Sequence, residues 1–298
     1  MTRTIRALTA LLALAASARA QVVNPATAQQ PPKDATDETE KADILRSWQL
    51  PAIVVTDEPL SPFRESDLIG SYGQPRWTSR RLFPTTRVYV LREGQMDFEL
   101  WNRIKVPRQG AATVETQYEF EIGLPGRFQF DYYFVTEHSG SEGDTEISEQ
   151  KYEVRYALAD WGKIPWNPTL YAEWASVSGG PDRFEGKLLL GDEVSPGWKV
   201  GSNLVWEHEV SGDLTNQYEL TLGVSRTIVD EKFSLGGELK TSIEDVHGDR
   251  GEYAESLEVG PSIQWRPLPS MHIDIAPLIG IGGESRQADI YAVLGWEF

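Results

Sequence analysis

Carboxylates recur at every second residue along much of this sequence. Glu115, Gln117, Glu119 and Glu121 alternate with Val114, Thr116, Tyr118, Phe120 and Ile122, and Gln129, Asp131 and Tyr133 alternate with Phe128, Phe130, Tyr132 and Phe134. Residues two apart share one face of an extended strand, so one face is charged and the other apolar. Such carboxylates could attract cations, pair with basic side chains or hold a metal ion. The acidic loop clusters (Glu142, Asp144, Glu146; Glu244, Asp245, Asp249) lack the spacing of a calcium-binding loop. No metal site and no cofactor are expected. Catalysis has equally little to work with. His138 adjoins Ser139, but neighbours on a strand point to opposite faces, which separates a nucleophile from its base. His208 and His272 have no identifiable serine or histidine partner, and His247 between two aspartates reads as a solvated loop. We therefore expect no catalytic residues and no enzyme.

The elements that carry these residues are strands. After Gln95, alternating segments bounded by Gly, Pro, Asp or Asn mark Met96–Val106, Thr113–Gly123, Phe128–His138, Ser148–Asp160, Thr169–Ser178, Phe184–Val194, Trp198–Val210, Asn216–Ile228, Glu231–Ile243, Tyr253–Trp265, Met271–Ile281 and Arg286–Phe298. Turns at 124–127, 195–197 and 266–270 are tight, whereas 139–147 and 244–252 are longer and acidic. Short turns at one end and longer loops at the other suit an all-β, antiparallel transmembrane β-barrel of about 12 strands, within a range of roughly 10–14. A soluble sheet with one wet face would alternate in the same way. Aromatic placement favours the membrane: Trp161, Trp166, Trp198, Phe233, Trp265, Trp296 and Phe298 gather near the tight turns, at the depth of a headgroup girdle. Pro261 and Pro277 fall within strands on the expected lipid face and imply a bulge, a local opening or a register one residue out.

Composition bounds the alternatives. The chain has 298 residues, 28 basic and 45 acidic side chains, a net charge of −17 and no Cys. Disulfides and thiolate chemistry are excluded, and the acidic balance argues against nucleic acid as a partner. Residues 1–20 carry Arg3 and Arg6, a short apolar run and Ala18-Arg19-Ala20, the pattern of a secretory signal peptide. Residues 21–50 are rich in Pro, Gln, Thr and acids at their start and are expected to form a disordered tether. Residues 51–95 are a basic island that holds Arg64, Arg76, Arg80, Arg81, Arg87 and Arg92, and residues 96–298 form the barrel.

The last strand adds a resemblance. Ile290, Ala292, Leu294, Trp296 and Phe298 occupy alternate positions and the chain stops on an aromatic residue. This resembles the terminal strand of bacterial outer-membrane β-barrel proteins of the porin-like kind. The resemblance implies that Trp296 and Phe298 are the signal read by the barrel-insertion machinery. It also implies residence in the cell outer membrane, with membrane lipids and lipopolysaccharide as partners.

With apolar residues outward, the lumen would receive Glu115, Glu119, Glu121, Asp131, Glu153, Glu173, Glu207, Glu219, Glu238 and Glu258. Either these pair with basic residues and fill a narrow interior, or their excess leaves a lumen that favours a small cationic solute. Arg76, Arg80, Arg81 and Arg87 could enter that lumen as a plug, because guanidinium groups bond carboxylates bidentately, or could lie in a periplasmic arm. The leading expectation is a channel or porin-like transporter with selectivity set by carboxylates. The alternatives are a structural or interaction barrel with a periplasm-facing N-terminal extension, and a lipid-acting hydrolase.

Overall fold

The computed structural model describes residues 64–139, 145–249, 251, 253–283 and 285–298. The expected signal peptide, the tether and the start of the basic segment lie outside the described residues. Two short strands, β1 (Leu68–Ile69) and β2 (Gln74–Pro75), form a small hairpin that leads into a 3-10 turn at Arg76–Ser79. The chain then runs irregularly to Gln95, through a turn at Glu93-Gly94, and enters the barrel: β3 (Met96–Val106), β4 (Thr113–Leu124), β5 (Phe128–Ser139), β6 (Glu146–Ala157), β7 (Thr169–Val177) and β8 (Arg183–Ser195). It continues through β9 (Trp198–Glu209), β10 (Asn216–Val229), β11 (Phe233–Asp245), β12 (Ala254–Leu268), β13 (Met271–Ile281) and β14 (Ala288–Glu297). Each strand pairs antiparallel with its chain neighbours, and β14 closes the barrel on β3 from Ala288 opposite Val106 to Glu297 opposite Asp97.

All twelve expected strands are present, with ends displaced by at most three residues. The largest departure is β6, which stops at Ala157 and leaves Leu158–Pro168 as a long connection at the otherwise tight-turn end. Side-chain chemistry builds that loop. Asn167, at a φ of 48°, accepts from the Gly162 amide at 2.6 Å and donates to the Gly191 carbonyl at 3.0 Å. A tight neighbour is Pro125-Gly126-Arg127, where Gly126 and Arg127 adopt φ of 75° and 68°, the left-handed geometry of a hairpin turn.

Pro261 and Pro277 keep the expected face. Each lacks the N–H needed for the ladder, and pairing between β12 and β13 stops at Val259–Ile279 and resumes at Ile263–Ile275. Continuing the register brings the two prolines directly opposite each other, so one short interruption holds both and the alternation beyond it is undisturbed.

The outer surface carries large apolar side chains at alternate positions. Phe120, Leu204, Tyr218 and Trp265 are each about half exposed on it (51%, 51%, 50% and 50%). A contiguous apolar band of this extent belongs in hydrocarbon, and strands of this length cross it when tilted. Among the described residues no helix is long and apolar enough to cross a membrane. The apolar core lies inside the barrel: Tyr72, Trp77, Leu82, Phe83, Val88, Tyr89 and Val90 from the pre-barrel segment pack with Ala157 and Trp161. Trp161 meets both Trp77 and Tyr89 edge-on, with centroids 5.5 Å and 5.2 Å apart.

Candidate functional site

The barrel register brings together carboxylates that are far apart in sequence. Asp97 lies opposite Glu121, Glu121 opposite Asp131, Asp131 opposite Glu153 and Glu153 opposite Glu173. Glu173 then faces Glu185, and Glu185 faces Glu207. Seven consecutive strands, β3 to β9, thus contribute one acid each to an unbroken row around the inner wall. Like charges directly opposite destabilise a sheet unless cations intervene. Wall residues supply some: Arg155 lies 2.9 Å from Asp131, Lys187 2.7 Å from Glu185 and Lys151 3.4 Å from Glu173.

The pre-barrel segment supplies the others. Arg81 lies over the Trp101 ring and holds Glu99 at 2.6 Å and Glu121 at 3.4 Å. Arg87 holds Glu119 at 2.6 Å and pairs closely with Glu121. The carboxylates of Glu99, Glu119 and Glu121 and the Arg81 guanidinium are almost wholly buried, a placement that desolvated charges tolerate only when paired. Arg80 bonds Glu231 at 2.8 Å and lies 2.7 Å from Glu297, and Arg76 reaches the same Glu231 at 3.0 Å. All four arginines singled out in the sequence therefore meet wall or turn carboxylates. Backbone contacts complete the seat: Leu91 N–H donates to Gln129 Oε1 at 2.7 Å, Arg87 N–H to Asn203 Oδ1 at 2.8 Å, and Thr85 N–H to Glu238 Oε2 at 2.8 Å.

Glycines make the room. A β-carbon on Gly223 would fall 2.6 Å from Phe83 ring carbons, and one on Gly201 would fall 3.0 Å from Thr86 and 3.1 Å from Val88. Wall and segment are in backbone-to-side-chain contact here, which only glycine permits. Gly223→Leu should therefore push the segment out. Trypsin is expected to cut the variant after Arg80, Arg81 or Arg87 and to spare the same bonds in the parent; equal protection of both would refute the cradle.

Glu65 anchors the start of the segment. Its carboxylate accepts from Arg266 at 2.8 Å and from Thr227 at 2.7 Å, and it pairs closely with Lys199. Burial pushes this carboxyl up, but Arg266 and Lys199 outweigh burial and hold it below the usual glutamate value of 4.5. A depressed pKa means an attachment that is fully present above about 4.5 and is lost as pH falls through the lower folded value. Glu65→Gln should accordingly weaken attachment at neutral pH and remove this acid-sensitive component. Conductance measured from pH 7 to pH 3 checks it, and identical profiles for parent and variant would argue against the anchor.

Beyond the segment, toward the longer loops, lies a cavity of 610 Å³. Glu115, Glu119, Glu153, Glu173, Glu207, Glu219 and Glu258 of the ten expected lumen acids line it, whereas Glu121, Asp131 and Glu238 do not and lie buried beside the segment. Ion pairs cross its wall, including Arg103 to Asp289 at 2.5 Å, Lys240 to Glu219 at 3.1 Å and Arg183 to Glu149 at 2.5 Å. Two buried trios, Glu99–Glu119–Glu121 and Glu119–Asp131–Glu153, bring carboxylate oxygens within 4.8 Å of one another. Arg81 and Arg87 serve the first trio and Arg155 the second. The histidines make other contacts: His138 with Thr145 at 3.5 Å, His208 with Asn216 at 3.1 Å and His272 with Asp274 at 2.5 Å.

Sequence reasoning missed Glu65, Asn203 and the glycine cradle. None carries a local signal, because each owes its position to a segment more than a hundred residues away or to the absence of a side chain.

No protein-family model matches the sequence, and no curated protein matches it. Solved structures do. An outer membrane channel from Pseudomonas putida F1 is similar over 73% of this chain and 100% of that one, with 10% identity and a TM-score of 0.50. The NanC porin is similar over 68% and 98%, with 14% identity and a TM-score of 0.49. The likeness at such identities is one of fold, the closed barrel of outer-membrane proteins.

Proposed function

We propose that this outer-membrane β-barrel is a porin-like channel whose bore is closed toward the tight turns by residues 64–95 and whose interior favours cations. The observation that carries the reading is the pairing of buried Arg81 and half-buried Arg87 with the buried carboxylates of Glu99, Glu119 and Glu121. The segment supplies charge that the wall lacks, so the wall is complementary to a cation whenever the segment is displaced. Twelve carboxylates against nine basic side chains around the cavity support the same sign of selectivity. A twelve-stranded barrel is wide enough to need such filling, between a packed eight-stranded barrel and an open sixteen-stranded pore. The mature protein in a planar bilayer under a potassium chloride gradient tests this, with a reversal potential of cation-selective sign expected. An anion-selective potential, or no channel activity at any voltage or pH, would refute it.

Trp296 and Phe298 fit the role of insertion signal. Phe298 N–H donates to the Met96 carbonyl at 2.8 Å and Trp296 faces Phe98, so the signal residues sit on the closing strand pair. Removal of Phe298 is expected to lower the fraction recovered as folded barrel from membranes; unchanged recovery would count against the assignment.

A further inference from the structure

Residues 64–95 grip the barrel wall unevenly. Toward β3–β5 they are held by Arg81, Arg87 and Leu91, and toward β8–β10 by Phe83 and Val88 against glycine. On β11–β13 polar contacts reach Glu238, through Thr85, and Arg266, through Glu65. Beside these contacts stand polar atoms with no hydrogen-bond partner: the Ser234 and Ser262 hydroxyls, both ends of the Gln264 amide, two guanidinium nitrogens of Arg266, and one carboxylate oxygen each of Glu238, Glu258 and Asp274. Every one of these residues is more than nine-tenths buried. They are also contiguous, because Ser234 lies opposite Gln264, Gln264 opposite Asp274, and Ser262 opposite Gly236. Buried polar atoms without partners cost about 1–3 kcal/mol each, a cost that an incoming hydrogen-bonding group would relieve.

A second, independent feature marks the same wall. The β12–β13 ladder is interrupted where Pro261 faces Pro277, so this seam lacks hydrogen bonds that hold its neighbours. The polar contacts through Thr85 and Glu65 and the interrupted ladder therefore lie on the same side of the barrel.

We infer that solute crosses the barrel between residues 64–95 and the β11–β13 wall, and that this wall binds solutes carrying ammonium groups, of the linear diamine and polyamine class. The inference rests on the closing role of residues 64–95 proposed above. The chemistry follows from the atoms. Acceptors predominate, three of them carboxylate oxygens, and an ammonium group offers three N–H donors and a compensating charge. An anion would meet three carboxylates and a single guanidinium, that of Arg266, which Glu65 already engages. Successive inward positions on a strand are about 6.6 Å apart, a spacing that an extended aliphatic diamine matches.

Uptake of labelled spermidine into neutral liposomes that contain the full mature chain tests this, with an uncharged diol of similar length as comparison. Spermidine is expected to enter faster than the diol. Ser262→Ala/Gln264→Leu should lower sub-saturating spermidine uptake about tenfold, the loss of one to two charge-assisted hydrogen bonds. Ser234→Ala/Ser262→Ala, a milder change, should act in the same direction and serves if the first variant fails to assemble. Spermidine uptake no faster than that of the diol, or unchanged in both variants, would overturn the track. Failure of the closing role reads differently. It would show as equal conductance of oxidised and reduced protein when Val88→Cys and Gly191→Cys crosslink the segment to the wall in a chain that also carries Arg81→Gln and Arg87→Gln.

Discussion

Exchange of Arg81 and Arg87 together for glutamine is expected to raise single-channel conductance several-fold and to expose residues 64–95 to trypsin. In the parent, Glu99, Glu119 and Glu121 are desolvated and their charge is balanced by these two guanidinium groups. Removal of one partner from a buried pair costs about 3–5 kcal/mol, because the remaining charge keeps its desolvation penalty and loses its compensation. Here two are removed from three acids. The wall can recover only by protonation or by readmission of water, and water enters if the segment leaves. Lysine at both positions should restore closure in part, since it returns the charge without the planar fork that reaches two carboxylates at once. Unchanged conductance and unchanged protection in the glutamine variant would remove the segment from the gating of the bore.

The fold was legible because hydrocarbon on one side and a polar interior on the other impose a period of two along every strand. Glu115, Glu119 and Glu121 against Val114, Tyr118 and Phe120 announce their faces without any knowledge of neighbouring strands. Even the irregularity at Pro261 and Pro277 could be placed, since both lack a donor and flank one turn. The site was less legible. The identity of the lumen acids follows from alternation, but their row from Asp97 to Glu207 depends on the stagger of each strand against the next. Stagger is set by turn length and barrel closure, which composition does not encode locally. The basic island reads as unusual in an acidic chain, yet its choice between interior and periplasmic arm turns on shape. Gly201 and Gly223 decide that shape, and in a strand pattern they look like ordinary weak points.

Oxidation of a Val88→Cys/Gly191→Cys pair is expected to hold the channel shut even when its arginine anchors are gone. A β-carbon on Gly191 would lie 3.2 Å from the Val88 β-carbon, a few tenths of an ångström short of the usual separation across a disulfide, about 3.5–4.5 Å. Exchange of valine for cysteine also removes the methyl group that would otherwise collide with the new side chain. The chain contains no other cysteine, so neither mispairing nor background thiol chemistry competes. Combined with Arg81→Gln and Arg87→Gln, the crosslink separates two effects that a point substitution merges, lost charge and lost occupancy. If the segment closes the bore by filling it, the oxidised quadruple variant conducts as little as the parent, and added reductant releases the high conductance of the glutamine pair. If the arginines act only through the field they set up along the carboxylate row, the redox state makes no difference. High conductance in the oxidised protein, with the disulfide verified by mass, would therefore assign Arg81 and Arg87 to electrostatics alone.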